Sequence, residues 1–186
     1  MDREEILIAS AQIIRQKGFH AASMQDIAEA VHLQKASLYH HFSSKQEILL
    51  LLLDKALDLV TEQVSAAMAQ DVTTREKFRL AMDVYMETLA NHAALASVLL
   101  FEHRSLESNY RKRHIPRRDR FEKLWQDLIL EGVSNGVFHI SDAAMAARAI
   151  LGTMNWTMTW YRPDGPLTMH QISDEISALF LDGLRG

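Results

Sequence analysis

Five times along this chain a Ser, Thr or Asp stands three residues ahead of a carboxylate or carboxamide at the head of an apolar stripe. The pairs are Asp2 with Glu5, Ser23 with Asp26, Ser44 with Glu47, Thr73 with Glu76, and Thr168 with Gln171. In such a pair the first side chain accepts from a backbone N–H three residues on, and the second reaches back. Two open donors of a helix start are thereby satisfied. The stripes agree with the caps. Ile6, Ala9, Ile13 and Ile14 recur at helical spacing, with Gly18 placed to end that helix. Ser44 opens a long helix to about Gln70, and Thr73 opens another with Phe78, Met82, Tyr85, Met86 and Leu89 inside. A shorter apolar segment runs from Ala93 to Phe101. Pro116 then sits where a helix can begin, with Phe121, Leu124, Trp125, Leu128 and Ile129 as its inner face to near Gly136. Ser141 is the expected cap of a helix through about Tyr161, and Pro163 to Pro166 make a turn before the last helix. No period-two alternation and no repeat appear. The chain is expected to be all-α, with about nine helices.

Composition narrows the chemistry. Three Pro and seven Gly among 186 residues leave little room for linkers. The absence of Cys excludes disulfides and thiolate metal sites and suits a reducing compartment. The first residues are charged and amphipathic, unlike a signal peptide, and the longest apolar run, Ile48 to Leu53, is too short to span a bilayer. A cytoplasmic protein with no membrane partner is expected. The formal net charge of −4 argues against nucleic-acid binding through bulk charge. Its distribution is uneven: residues 46–104 carry nine acids and five bases, whereas residues 105–120 carry six bases and two acids.

Residues 23–45, SMQDIAEAVHLQKASLYHHFSSK, are the most informative stretch. Ser23 caps a short helix with Ile27, Ala28 and Val31 on one side; His32 and Leu33 make a turn; and a second short helix runs from Gln34 to His41. That second helix has only Leu38 and Phe42 as apolar anchors, around which stand Lys35, Ser37, Tyr39, His40 and His41. A short helix so anchored, with donors on its open face, suits insertion into a DNA major groove.

These residues resemble the helix-turn-helix of the TetR/AcrR family of transcriptional regulators. The matching pieces are Lys17-Gly18-Phe19, Ser23 to Ala28, Lys35 to Phe42, and Ser44 to Leu49, in order and without gaps. The resemblance implies a DNA-binding domain over residues 1–45 with three helices, and a larger helical ligand-binding and dimerisation domain over residues 46–186. It implies that Tyr39 and Lys45 contact phosphates. Lys35 and Ser37 face the groove for base contact, and His40 reaches phosphate or base. Ala36 stands where many members have Gly. The implied function is a homodimeric repressor on a palindromic operator, with a small-molecule effector and no cofactor.

In the second domain, Met82, Tyr85, Met86, Leu89, Leu99, Phe101, Trp125, Met154, Trp156, Met158 and Trp160 form a Met- and aromatic-rich inventory. By composition this is a plain core; the resemblance turns it into a candidate ligand cavity. The run Arg111 to Arg120, with Arg117 and Arg118, places positive charge at an expected helix start, against the macrodipole. It either binds an anionic partner or pairs as a loop with the acidic residues 46–104. An acyl-CoA thioester would satisfy both features, and the segment Gly152 to Gly165 is similar to TetR-type regulators of fatty-acid and sterol catabolism. The rival effector is a cationic or neutral drug-like molecule with Asp83, Glu87 or Glu102 as counter-charge. Small residues Ala143, Ala144, Ala146, Ala147, Ala149 and Gly152, and the stripe Ile172, Ile176, Leu179, Phe180 and Leu184, suggest dimerisation through the last two helices as a four-helix bundle. The alternative is burial of that stripe within the chain.

Catalysis and metal binding find little support. His92, His103, His114, His139 and His170 are scattered without metal-ligand spacing, and there is no phosphate-cradling Gly loop or nucleophile elbow. A helical enzyme acting on acyl-CoA is the remaining alternative of another class.

Overall fold

The computed structural model describes residues 2–183, and among them every regular element is helical. The α-helices are α1 (Arg3–Lys17), α2 (Met24–Ala30), α3 (Lys35–His41), α4 (Lys45–Met68), α5 (Thr74–Asn91), α6 (Ala93–Ser97), α7 (Ser108–Ser134), α8 (Ala143–Thr157) and α9 (Met169–Gly183). A π-helical turn, Val98–Glu102, continues from α6. No helix among the described residues is by itself long and apolar enough to cross a membrane.

Most helix starts follow the capping pairs. Asp2 with Glu5 and Ser23 with Asp26 form reciprocal boxes. Glu76 Oε2 accepts from Thr73 N at 3.0 Å, and Gln171 Oε1 from Thr168 N at 2.9 Å. Two starts differ from expectation. Ser44 Oγ accepts from Glu47 N, but the Glu47 carboxylate turns to Ser43 N and Oγ and to Arg3. At α8 the cap is Asp142, whose carboxylate accepts from Met145 N at 2.9 Å, rather than Ser141.

The largest departure is α7. It begins at Ser108, eight residues ahead of Pro116, and carries the proline inside it. Gln46 Oε1 accepts from Glu107 N at 3.0 Å, and Arg111 reaches back to the carbonyls of Arg104 and Leu106. These partners fix the new start. Pro116 removes the bond to the Lys112 carbonyl, but both residues are exposed, so water is available to that carbonyl.

The chain divides into two compact units. One comprises the chain up to Asp58 together with His92–Arg117; the other comprises Leu59–Asn91 and the chain from Arg118 onward. The first unit therefore reaches past residue 45, where a boundary was expected, because α4 supplies core to α1, α2 and α3. Ile6, Ile14, Ile27, Leu38, Phe42, Leu49, Leu53 and Val98 are all essentially inaccessible there. At the end of α1, Gly18 (φ +77°) turns the chain in a region that L side chains rarely adopt.

In the second unit α9 lies along α5, burying Ile172, Ser173, Ser177 and Leu181. Its apolar stripe is thus divided. Ile172 serves the intramolecular core, Leu179 is 71% exposed, and Leu184 lies outside the described residues. On its edge His170 Nδ1 sits 2.7 Å from Asp83 Oδ1, and Arg79 bonds Asp174 at 2.9 Å.

This packing can be tested at two places. A Cβ on Gly132, inside α7, would overlap Cδ2 of the buried Phe138 ring. Gly→Ala within a helix ordinarily stabilises by about 0.5–1 kcal/mol. Here Gly132→Ala is expected to destabilise by about 1–3 kcal/mol in denaturant unfolding, and a stabilised variant would contradict the packing. Hydrogen bonding to Asp83 is the main cause that raises the His170 pKa above its ordinary 6.5. A raised folded-state pKa means the clasp contributes fully below about 6.5 and is lost as pH rises through the folded value. Asp83→Asn should therefore cost more stability at pH 6 than at pH 9; an equal loss at both would refute the linkage.

Candidate functional site

In the first unit α1 and α2 meet near Asp26. Its carboxylate accepts from Ser23 N, Ser23 Oγ and Lys17 Nζ, the last at 2.6 Å. These bonds, Lys17 foremost, hold its pKa down at about 2. The turn after α2 is closed by Leu33 N donating to Ala28 O at 2.9 Å, with His32 in the left-handed region at φ +54°. This turn sets the direction of α3.

α3 is anchored from within by Leu38 and Phe42, 0% and 1% exposed, and Arg3 stacks over the Phe42 ring at 4.9 Å. On its other side Lys35, Tyr39 and His40 are exposed and Ser37 is half-buried. Tyr39 is turned outward, with nearly half of its surface accessible, rather than packed on α1. This helix therefore presents an ammonium, a phenol, an imidazole and a hydroxyl from one small scaffold, a donor set suited to phosphate oxygens and base edges.

Lys45, at the first turn of α4, behaves differently. Its Nζ donates to Phe19 O at 2.7 Å and Ala22 O at 2.6 Å, lies 3.4 Å from His20 O, and sits over the Phe19 ring. Burial lowers its pKa, opposed by the charges of Asp26 and Glu102. Its three protons are spent on carbonyls of the α1–α2 connection. Glu102, on the π-helical turn, accepts from Phe19 N at 3.1 Å and from Ser105 Oγ at 3.1 Å.

A second polar cluster joins α4 to α7 within the same unit. Asp54 Oδ1 is 2.8 Å from Nδ1 of the buried His114, and Asp54 Oδ2 is 3.3 Å from Arg117 Nε. Arg117 Nη1 also grips both oxygens of Asp58.

In the second unit, Tyr85, Phe121 and Trp125 form an aromatic group: Tyr85 stacks on Phe121 at 5.5 Å and meets Trp125 edge-on at 6.1 Å. Met82, Met86 and Leu89 are buried on the same helix as Tyr85. The Tyr85 hydroxyl donates to Asn155 Oδ1 at 2.7 Å, and burial pushes its pKa well above the ordinary phenol value. The Trp125 indole Nε1 is buried without a hydrogen-bond partner among the described residues. On α8, α9 and the connection between them, Met145, Trp156, Trp160, Leu167 and Leu179 are large apolar side chains left exposed.

Two family models match the chain: residues 6–52 fit the bacterial regulatory proteins of the tetR family, and residues 71–184 the tetracyclin repressor-like C-terminal domain. The chain belongs to the TetR family of transcriptional regulators. The repressor KstR2 of Mycobacterium tuberculosis is 29% identical to it over 184 residues, covering 98% of this chain and 92% of that protein. The TetR-family regulator PfmR from Thermus thermophilus superposes with a TM-score of 0.88 at 35% identity, over 96% of this chain and 98% of that one. AibR, solved in complex with isovaleryl coenzyme A and operator DNA, gives a TM-score of 0.89 at 27% identity, over 95% and 96%. These relatives are transcriptional regulators rather than enzymes.

Within this TetR-family regulator the effector residues expected from sequence are dispersed. Met82, Tyr85, Met86, Leu89 and Trp125 come together in the second unit, whereas Phe101 belongs to the first and is 54% exposed, and Trp156 is 66% exposed. The basic run is a helix, not a loop. Arg117 is held by Asp54 and Asp58, as the charge complementarity with the acidic stretch allowed, and Arg118 pairs with its neighbour Asp119. Of the carboxylates offered to a cationic effector, Asp83 is engaged by His170, and Glu102 by Phe19 N and Ser105. Sequence reasoning singled out neither Asp54 nor Asn155, and it read Phe121 only as part of the inner face of its helix. The four-residue spacing of Asp54 and Asp58, facing the three-residue spacing of His114 and Arg117, was the available signal for the first.

Removing the Tyr39 hydroxyl and the Lys45 ammonium should have different consequences. Tyr39→Phe is expected to leave unfolding unchanged and weaken binding to any duplex by about three- to tenfold. Lys45→Met is expected to cost about 1–3 kcal/mol of stability, because three carbonyls lose their donor. Denaturant titration with DNA-binding anisotropy separates the two; normal stability with weakened DNA binding in Lys45→Met would return Lys45 to the phosphates.

Proposed function

We propose that the protein is a homodimeric, ligand-responsive repressor that binds a two-fold symmetric operator and is released by an acyl-CoA thioester. The observation that carries the DNA-binding part is α3: Leu38 and Phe42 fix it from inside while Lys35, Tyr39 and His40 stand exposed with Ser37 beside them. Residues 1–45 would be the reading head, and residues 46–186 would bind effector and dimerise. One such head offers few cations for phosphate neutralisation, so two copies on two half-sites supply the affinity. The exposed apolar side chains Met145, Trp156 and Leu179, with the exposed small residues Ala149 and Gly152, support association through α8 and α9.

The effector class rests on two supports: AibR was solved with isovaleryl coenzyme A and operator DNA, and the second unit here has an apolar, aromatic interior with polar groups at Tyr85, Asn155 and Trp125. Arg118 and Arg120, both exposed, are the cations we assign to the nucleotide phosphates in place of Arg117. Effector binding would shift α4, which is continuous from the first unit into the second, and so alter the spacing of the two α3 helices. An effector releases DNA only through unequal affinity for the two spacings. Such a regulator works in the cytoplasm.

The test is a gel shift on DNA from the protein's own upstream region, with hexanoyl-CoA added. Release of bound DNA is expected. Arg118→Ala with Arg120→Ala should raise the hexanoyl-CoA concentration needed for release about tenfold, with apo DNA binding unchanged. Binding that no thioester touches would remove the effector class, and unchanged release by the double variant would remove the phosphate assignment.

A further inference from the structure

The indole N–H of Trp125 is the one side-chain donor of the second unit's aromatic group that lacks an acceptor among the described residues. Trp125 is 0% exposed, and its Nε1 has no hydrogen-bond partner there. Its neighbours are the Tyr85 and Phe121 rings, at 6.1 and 6.5 Å between centroids. The Tyr85 hydroxyl, the other polar group of this cluster, is already committed to Asn155 Oδ1. Buried donors in folded proteins are nearly always satisfied, so an orphan calls for a partner. An indole N–H donates and never accepts, which restricts that partner to an acceptor.

We propose that Trp125 Nε1 is the hydrogen-bond donor to the carbonyl oxygen of the effector, seated among Tyr85, Phe121, Met82 and Met86. The proposal deepens the acyl-thioester reading and rests on it for the identity of the carbonyl. A carbonyl is small, uncharged and flanked by an alkyl chain, so it brings an acceptor into an apolar site without the desolvation cost of a charge. A cation has no lone pair for the indole and finds Asp83 already engaged by His170. The group would thus read the acyl carbonyl and tolerate variation in the chain attached to it.

The experiment uses the full-length protein and three probes: hexanoyl-CoA, S-hexyl-CoA, a thioether of equal chain length that lacks the carbonyl, and hexanoic acid. Affinities are measured by calorimetry on the wild type and on Trp125→Phe. The indole N–H signals of the three tryptophans are followed by NMR, the one missing from Trp125→Phe being that of Trp125. Expected are about tenfold tighter binding of hexanoyl-CoA than of S-hexyl-CoA, a downfield shift of the Trp125 signal with the thioester only, and near-equal affinities in Trp125→Phe. The thioether comparison needs no variant, so a misfolded Trp125→Phe leaves the test intact. Equal binding of thioester and thioether to the wild type, with the Trp125 signal unmoved, overturns the proposal. Failure of both CoA compounds with binding of hexanoic acid, a carboxylate at neutral pH, that shifts Trp125 keeps Trp125 as the donor but overturns the uncharged carbonyl as its partner, together with the CoA reading. Binding of none of the three overturns both.

Discussion

The Lys45 ammonium, held by the carbonyls of Phe19, His20 and Ala22, is the interaction on which the first unit depends. The α1–α2 connection turns at Gly18 and leaves those carbonyls without helical partners. A single ammonium supplies three donors and ties them to the first turn of α4. Glu102 completes the arrangement from the other side by accepting from Phe19 N, so one short segment has its donors and acceptors both matched. With α1, α2 and the start of α4 fixed, Leu38 and Phe42 have one place to pack, and the donors of α3 have one direction to point. The charge is partly withdrawn from water, and its lowered pKa is the physical cost of that arrangement.

A second constraint of the same kind lies further along α4. Asp54 binds His114 and Arg117, and Arg117 binds Asp58, so α7 is held to α4 by a network rather than one exposed pair. Networks of this sort are worth more than isolated surface pairs because one ordered side chain serves several partners. They also explain why α7 tolerates Pro116: the helix is held on both sides of the interruption, by Gln46 and Arg111 before it and by Arg117 after it.

The parts of the fold that depend on neighbours in sequence were legible in the sequence. The boxes at Asp2, Ser23, Thr73 and Thr168, the turn at His32, and the anchors Leu38 and Phe42 all involve residues within a few positions of one another. Apart from the one-residue shift of the α8 cap to Asp142 and the turn of Glu47 to Ser43, the departures involve partners far away. The start of α7 depends on Gln46, sixty-one residues from Glu107. The placement of Arg117 depends on Asp54 and Asp58, and that of Lys45 on carbonyls more than twenty residues earlier. Charge marked Arg117, and the family resemblance marked Lys45, as candidates for anionic ligands, and neither signal says whether an acid or a carbonyl of the same chain reaches them first. The inner residues Met82, Tyr85 and Trp125 were legible from helical period; Phe101 and Trp156 were not, because an apolar side chain on a helix carries no local mark of which copy or unit covers it.

Whether α3 is a reading head used in pairs is decided by selecting bound sequences from a random DNA pool with the purified full-length protein. A single enriched motif with two-fold symmetry is expected, its half-sites about one helical turn of DNA, or a multiple of it, apart. Enrichment of no sequence at all, or of a single unsymmetrical site bound by one copy of the chain, would contradict a reading head used in pairs.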